Sequence, residues 1–199
     1  MNFITSLFMR SPQIETERLI LRRMRISDAP DMFEYACRDE VTKYLLWAPH
    51  EDAAYTRRYL KQVEASYKKG DFHDFGIEFK ENRKFIGTCG FASLDLPNSK
   101  GEIGYVLNPD YWGKGIAAEA VRAVIRFGFE NMSLNRIEAR YMLGNERSRK
   151  VMEKCGMTFE GVNRQLLFVK DGYCDIGVYS ILASEYKQAD AKLQKFTNI

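Results

Sequence analysis

At residues 113–115, Gly-Lys-Gly, the hydrophobic pattern of the chain changes its period abruptly. Before this point, residues 72–80, 84–94 and 101–107 alternate as strands do, with turn residues between them, which predicts a β-meander. After it, apolar residues recur at helical spacing over 116–128. A meander that runs directly into a helix predicts an α/β domain with a mixed sheet.

The segments on either side of this unit extend the same architecture. Upstream, the sequence predicts a strand over 18–24, a helix capped by Ser27, and a helix over 52–69 that Gly70 ends. Downstream, it predicts a strand over 136–143, a helix over 146–155 with Asn145 as N-cap, strands over 159–170 and 172–182 joined by an Asp-Gly turn, and a helix from about Ser184. We therefore expect one domain over 14–188, with a mixed, mostly antiparallel sheet of about seven strands, an N-terminal arm over 1–13 and a tail over 189–199.

Composition narrows the function classes. The 199 residues carry a formal net charge of +3, with 45% hydrophobic and 29% charged residues, which suits one globular domain and shows no basic stripe for nucleic acid. The four cysteines form no C-x-x-C pair and only two histidines are present, so we expect no metal site. Scattered thiols fit a reducing cytoplasm, and no apolar run is long enough to predict a membrane span.

A Gly-Lys-Gly turn at the start of a helix suggests an anion site, and several interpretations compete. A P-loop needs a spacing that this turn lacks. The Rossmann pattern G-x-G-x-x-A is matched by Gly113, Gly115 and Ala118, but residues 108–112 separate it from its strand, and that strand belongs to a meander. A third interpretation is a pyrophosphate cradle of free backbone N–H groups at the helix start, aided by Lys114. A plain tight turn with a helix cap is the structural alternative.

Four sequence blocks, in order along the chain, resemble those of a known protein family. They read ETERLILRRMRISDA, GEIGYVLNPDYWGKGIAAEAVRAVIRFGFE, LNRIEARYMLGNERSRKVMEKCGMTFEGV and KDGYCDIGVYSIL. Over residues 14–185 the chain resembles the GNAT acetyltransferase superfamily, and within it the RimJ/RimL type of ribosomal-protein N-terminal acetyltransferase. In the superfamily motif [QR]-x-x-G-x-[GA], Trp112 stands where Gln or Arg is usual.

The resemblance implies an acetyl-CoA-dependent N-acetyltransferase with acetyl-CoA as cosubstrate and no metal. It implies that the strand residues Tyr105, Val106 and Leu107 pair with the pantetheine arm in a gap beside the strand 136–143. It assigns Asn145 to the pantetheine region and Ser148 to protonation of the leaving thiolate. Trp112 is also expected to contact the cofactor. The turn that follows it would hold the pyrophosphate and comprises Gly113, Lys114, Gly115, Ile116, Ala117 and Ala118.

The remaining predictions concern the general base and the acceptor amine. We expect Glu102, at the start of the strand that follows the cofactor, to act as general base through a water molecule. Some relatives are thought to use a Glu in the strand after 159–162, but this chain has Leu167 there. The favoured acceptor is a protein N-terminal α-amine. A small amine such as a polyamine, amino acid or antibiotic, and a CoA-binding regulator without turnover, are the alternatives. Either a monomer or a homodimer is compatible with the sequence.

Overall fold

The computed structural model describes residues 3–9 and 12–187. The helices are α1 Phe3–Met9, α2 Ala29–Ala36, α3 Asp39–Thr42, α4 Ala53–Lys69, α5 Ile116–Asn131 and α6 Glu146–Lys154. The strands are β1 Ile14–Glu15, β2 Leu19–Arg22, β3 His73–Phe79, β4 Lys84–Asp95, β5 Lys100–Leu107, β6 Arg136–Met142, β7 Thr158–Val169 and β8 Gly172–Leu182. A helical segment over 183–187 follows β8, and the rest of the helix predicted from Ser184 lies outside the described residues.

These strands form one sheet of eight in the order β1-β2-β3-β4-β5-β6-β8-β7. Every neighbouring pair is antiparallel except β5 and β6, which are parallel and joined through α5. The mixed, mostly antiparallel sheet is therefore confirmed. The strand beyond the predicted seven is β1, which has only two residues.

The two faces of the sheet are covered by different helices because side chains alternate between faces along each strand. Phe75, Ile77 and Ile103 point to the face covered by α1, α5 and α6, where the larger apolar core lies. The opposite face carries a smaller core built from α2 and α4 with Tyr35 and Leu60. We call these the α5 face and the α4 face.

The predicted cap at Ser27 is wrong. Ser27 lies inside a short 3-10 turn, Ile26–Asp28, and the side chain that closes this turn is Asp28, which accepts a hydrogen bond from Arg25 N at 2.7 Å. Asp28 is held there by a buried ion pair with Arg22 at 2.9 Å. This buried pair holds Asp28 directly before the start of α2, and the pattern of cap residues that predicted Ser27 does not include it.

The predicted arm over 1–13 contains α1, whose Phe8 is buried in the larger core. The ring of Phe8 meets His73 edge-on at 4.7 Å between centroids and contacts Phe75 and Phe127. The described part of the arm thus packs onto the domain. The predicted tail over 189–199 lies outside the described residues.

Candidate functional site

The sheet opens at its centre, between its two parallel strands. Pairing between β5 and β6 stops at Ile103 and Ala139, while β6 continues to pair with β8 as far as Met142. From Gly104 to Leu107, β5 is paired only with β4. The predicted gap is therefore present, with Tyr105, Val106 and Leu107 along one wall. Backbone groups of this segment that point away from β4 are available to an extended ligand.

The Gly-Lys-Gly turn stands at one end of this gap. Gly113 and Gly115 have φ angles of +77° and +76°, a region that side chains other than glycine rarely adopt. A Cβ placed on Gly113 would meet nothing within 4 Å, so the backbone there borders open space. The first hydrogen bond of α5 runs from Glu119 N to Gly115 O at 3.1 Å, so the N–H groups of residues 116–118 precede the helix's own ladder.

Arg18 fixes the shape of this turn from β2's side of the sheet. Its Nη1 donates to Lys114 O at 3.0 Å, and its guanidinium pairs with Glu119 at 2.6 Å. Burial raises the pKa of Glu119, but hydrogen bonds from Thr16 and Arg18 outweigh burial and lower it overall. Arg18 was not predicted from the sequence, because it lies 96 residues before Lys114 and no pattern near the turn indicates it.

Two side chains of the turn have structural roles of their own. Lys114 Nζ donates to Asp110 O at 2.8 Å and lies 5.4 Å from the centre of the Tyr111 ring. The indole N–H of Trp112 donates to Leu107 O at 2.8 Å, and the Arg147 guanidinium stacks 4.2 Å above its ring. Trp112 therefore joins the end of β5, the turn and the start of α6.

Helix α6 places the Ser148 hydroxyl beside the Tyr105 hydroxyl of β5. Asn145 is the N-cap, as predicted, and its Oδ1 accepts from Ser148 N at 3.2 Å. The Ser148 hydroxyl lies 2.8 Å from the Tyr105 hydroxyl, which also reaches Ser148 O at 3.0 Å. Burial is the main reason that the pKa of Tyr105 is raised. The phenol of Tyr105 was missed by sequence reasoning, which considered only its backbone.

Glu102 lies on the α4 face, opposite Tyr105 and Ser148. It stands in register beside Glu138, and Arg140 Nε approaches its carboxylate at 3.5 Å. Burial raises the pKa of Glu102 most, the Glu138 charge adds to this, and Arg140 and Lys100 oppose it. Strand β5 therefore has a carboxylate on one face, two residues before the gap opens, and two hydroxyls on the other face.

The described residues contain no group of three or more His, Cys, Asp or Glu side chains placed to hold a metal ion. Nor does any helix within 3–9 and 12–187 combine the length and apolarity needed to cross a membrane. All four cysteines are free thiols.

Comparison with known proteins gives consistent matches. The family model described as an acetyltransferase (GNAT) domain matches residues 18–158. The uncharacterised N-acetyltransferase p20 of Bacillus licheniformis is 38% identical over 171 residues, covering 86% of this chain and 96% of p20. The ribosomal protein uS5-alanine N-acetyltransferase of Escherichia coli K12 is 25% identical over 171 residues, covering 82% of this chain and 87% of that enzyme.

Among solved structures, an acetyltransferase of the GNAT family from Bacillus anthracis superposes with a TM-score of 0.78. It is 30% identical in sequence and covers 87% of this chain and 100% of its own.

Proposed function

Because this chain belongs to the GNAT family and is an acetyl-CoA-dependent N-acetyltransferase, we propose that its acceptor is a protein N-terminal α-amine. The similarity to an enzyme named as a ribosomal protein uS5-alanine N-acetyltransferase supports this acceptor class. An α-amino group has a pKa near about 8, so at neutral pH most of it is protonated and needs a base.

The turn at 113–118 suits the pyrophosphate of acetyl-CoA, and this fit is the observation that carries the assignment. Open space at the missing Cβ of Gly113 and the free N–H groups ahead of the α5 ladder form a cradle for an anion. Tyr105, Val106 and Leu107 would hold the pantetheine arm by backbone pairing, with Asn145 beside it. Bound acetyl-CoA supplies the activated acetyl thioester.

The protein's own groups then handle protons on both sides of β5. We assign Glu102 to accept a proton from the acceptor nitrogen through a water molecule, because it lies on β5 two residues before the gap opens at Gly104. Ser148, hydrogen-bonded to Tyr105, donates toward the departing sulfur. Backbone N–H groups of the segment 104–107 that do not bond to β4 stabilise the charge that develops on the acetyl oxygen.

Two alternative functions differ from this proposal, one in its acceptor and the other in having no turnover. Acetylation of a small amine uses the same donor site and differs only in the acceptor groove. A CoA-binding regulator is favoured by one observation, Leu167 in β7, where some relatives have a Glu. The free thiols are consistent with our placement of the protein in the reducing cytoplasm.

A turnover screen tests the proposal. Acetyl-CoA is mixed with peptides that begin with Ala or Ser, with N-terminally blocked copies, and with spermidine and free amino acids, and released thiol is measured. We expect turnover on free-terminus peptides and none on the blocked copies. Preference for spermidine or amino acids would replace the acceptor, and binding of acetyl-CoA without any turnover would support the regulator.

A further inference from the structure

A row of three residues leads across the sheet to the gap on the α4 face. Asp74 on β3 pairs with Gly90 on β4, and Gly90 pairs with Gly104 on β5. Residues opposite each other in neighbouring strands project to the same face, about 4.8 Å apart per strand. Gly104 is the first residue beyond the last β5–β6 pair. Asp74 is therefore the side chain at the far end of a short row that ends at the opening.

The two glycines keep this row clear. A Cβ on Gly90 would lie 2.4 Å from Asp74 Cα and 2.7 Å from Asp74 Oδ1, so only glycine at this position leaves room for β3 and for the carboxylate beside β4. A Cβ on Gly104 would meet only the Cβ of Ala92, at 3.6 Å. The space between the Asp74 carboxylate and the opening thus holds no side chain of these two positions.

The carboxylate has hydrogen-bond donors but no cation. Phe75 N donates to Oδ1 at 2.9 Å, and the Thr88 hydroxyl also bonds to it. No Lys, Arg or His in the described part of the chain forms an ion pair with Asp74, whereas Glu102 has Arg140. An unpaired carboxylate in a low-dielectric setting attracts a cation strongly.

Helices α2 and α4 supply tyrosines rather than charges around it. Burial is the main cause that raises the pKa values of Tyr35 of α2 and of Tyr59 and Tyr67 of α4, and the Asp74 charge adds to it. The same holds for Cys89 of β4. The Tyr35 hydroxyl is buried and has no hydrogen-bond partner among the described residues. Burial raises the pKa of Asp74 to about 7, partly offset by the bonds from Phe75 and Thr88.

We propose that Asp74 binds the ammonium group of the acceptor and takes its first proton, so that the neutral amine is formed next to the acetyl group. The assignment rests on the acetyltransferase activity and not on the acceptor class. It leaves Glu102 for the second nitrogen proton.

The proton balance closes with these groups. An N–H bond of the ammonium breaks and its proton moves to the Asp74 carboxylate. The freed nitrogen lone pair forms the amide bond as the carbon–sulfur bond breaks and its electron pair stays on sulfur. The second nitrogen proton passes through Glu102 to solvent, Ser148 gives one proton to the thiolate and regains one from solvent, and Asp74 returns its proton to solvent. One ammonium and one thioester thus give one amide, one thiol and one released proton.

The test is the pH profile of kcat/KM for the best acceptor of the screen above, peptide or small amine. In the wild type the acid limb should fall near pH 7. Asp74→Asn, which keeps an oxygen to accept from Phe75 N, should lose about 100-fold in kcat/KM at pH 7. Its acid limb should move up toward the pKa of the acceptor itself. Glu102→Gln should lower kcat and leave the limb in place.

Two further variants serve as controls for the pH profile. Asp71→Asn, the same change at an exposed position before β3, should leave the profile unchanged. Thr88→Val removes a donor that lowers the pKa of Asp74, so it should move the limb upward even if Asp74→Asn does not fold. An acid limb that stays in place in both Asp74→Asn and Thr88→Val would overturn the proposal.

A binding experiment tests the ammonium site without requiring turnover. The melting temperature of the CoA-saturated protein is compared in n-butylammonium chloride and in n-butanol. We expect protection by the ammonium alone in the wild type and none in Asp74→Asn. Equal protection in both proteins, or none in the wild type, would contradict an ammonium site, while failure of every peptide in the screen would contradict only the acceptor class.

Discussion

Strand β5 divides the chemistry of the site between its two faces. Tyr105 projects to the α5 face, where its hydroxyl meets Ser148 at 2.8 Å, and Glu102 projects to the α4 face. Successive residues of a strand alternate, so a hydroxyl donor and a carboxylate acceptor can approach the gap from opposite sides. Each group can therefore be removed without disturbing the other.

Ser148→Ala should lower kcat at least about tenfold, because a positioned donor assists a leaving group by about 10²–10⁴. Affinity for acetyl-CoA and the melting temperature should be unchanged, since alanine favours a helix and Asn145 still caps it. Steady-state and single-turnover kinetics with thiol detection measure the effect.

Ser66→Ala in α4 is the matched control, a helical serine away from the gap. It should leave kcat unchanged. If Ser148→Ala has wild-type kcat under conditions where chemistry limits the rate, Ser148 only begins a helix.

Asp74 should also affect stability in a pH-dependent way. Its pKa in the folded protein, about 7, lies above the unfolded value near about 3.9, so the folded state binds the proton more tightly. The stabilisation is full below about pH 4 and is lost as pH rises to about 7. Relative to Asp74→Asn, the wild type should lose on the order of 4 kcal/mol across this window, measured by urea unfolding at each pH. Parallel stability curves for the two proteins would show that the carboxyl is not perturbed.

The turn before α5 acts as one element, and two glycines with the same backbone geometry allow a paired test. Gly113 and Gly156 both have φ of +77° and no atom within 4 Å of an added Cβ. Alanine at either position should cost about 1–2 kcal/mol of stability from left-handed strain. We expect only Gly113→Ala to weaken acetyl-CoA binding, measured by calorimetry, because its Cβ enters the cradle. Equal affinities for the two variants would place the pyrophosphate elsewhere.

The junction of β2, β3 and α2 depends on one buried arginine. Arg22 pairs with Asp28 at 2.9 Å and Glu78 at 2.6 Å, and all three are buried. Arg22→Met should destabilise by about 3–5 kcal/mol, because it leaves the buried Asp28 without its cation and Glu78 with only Arg83. Arg83→Met removes a mostly exposed partner of the same Glu78 and should cost no more than about 1 kcal/mol. Denaturant unfolding compares the two, and similar losses would mean that burial of the Arg22 network does not matter.

At the scale of the whole molecule, the gap separates strands β1–β5 from β6–β8, so a ligand in it contacts both parts of the sheet. Binding to the folded state alone stabilises it by about 2.7 kcal/mol at 100 times Kd. For a chain of this size we expect acetyl-CoA to raise the melting temperature by about 5–10 °C. NADH at equal concentration should have little effect, and the reverse order would favour the dinucleotide interpretation of the Gly-x-Gly pattern.

The sequence by itself determined the features that depend on neighbouring residues. The meander, the glycine turn before α5, the Asn145 cap and the β7–β8 hairpin follow from period, backbone freedom and side-chain hydrogen bonds within a few positions. The ordered sequence blocks around these features identified the family, and the resemblance to that family predicted the gap beside Tyr105–Leu107.

Only the tertiary structure decided which distant side chains share the site. Arg18 reaches the 113–115 turn from just before β2, Tyr105 meets Ser148 across the gap, and Asp74 stands in register with Gly90 and with Gly104 at the opening. The start of α2 was likewise set by the Arg22–Asp28 pair rather than by Ser27. Apart from the Arg22–Asp28 pair, these contacts join residues far apart in the chain. The energies of all of them come from burial and charge that exist only once the sheet has formed.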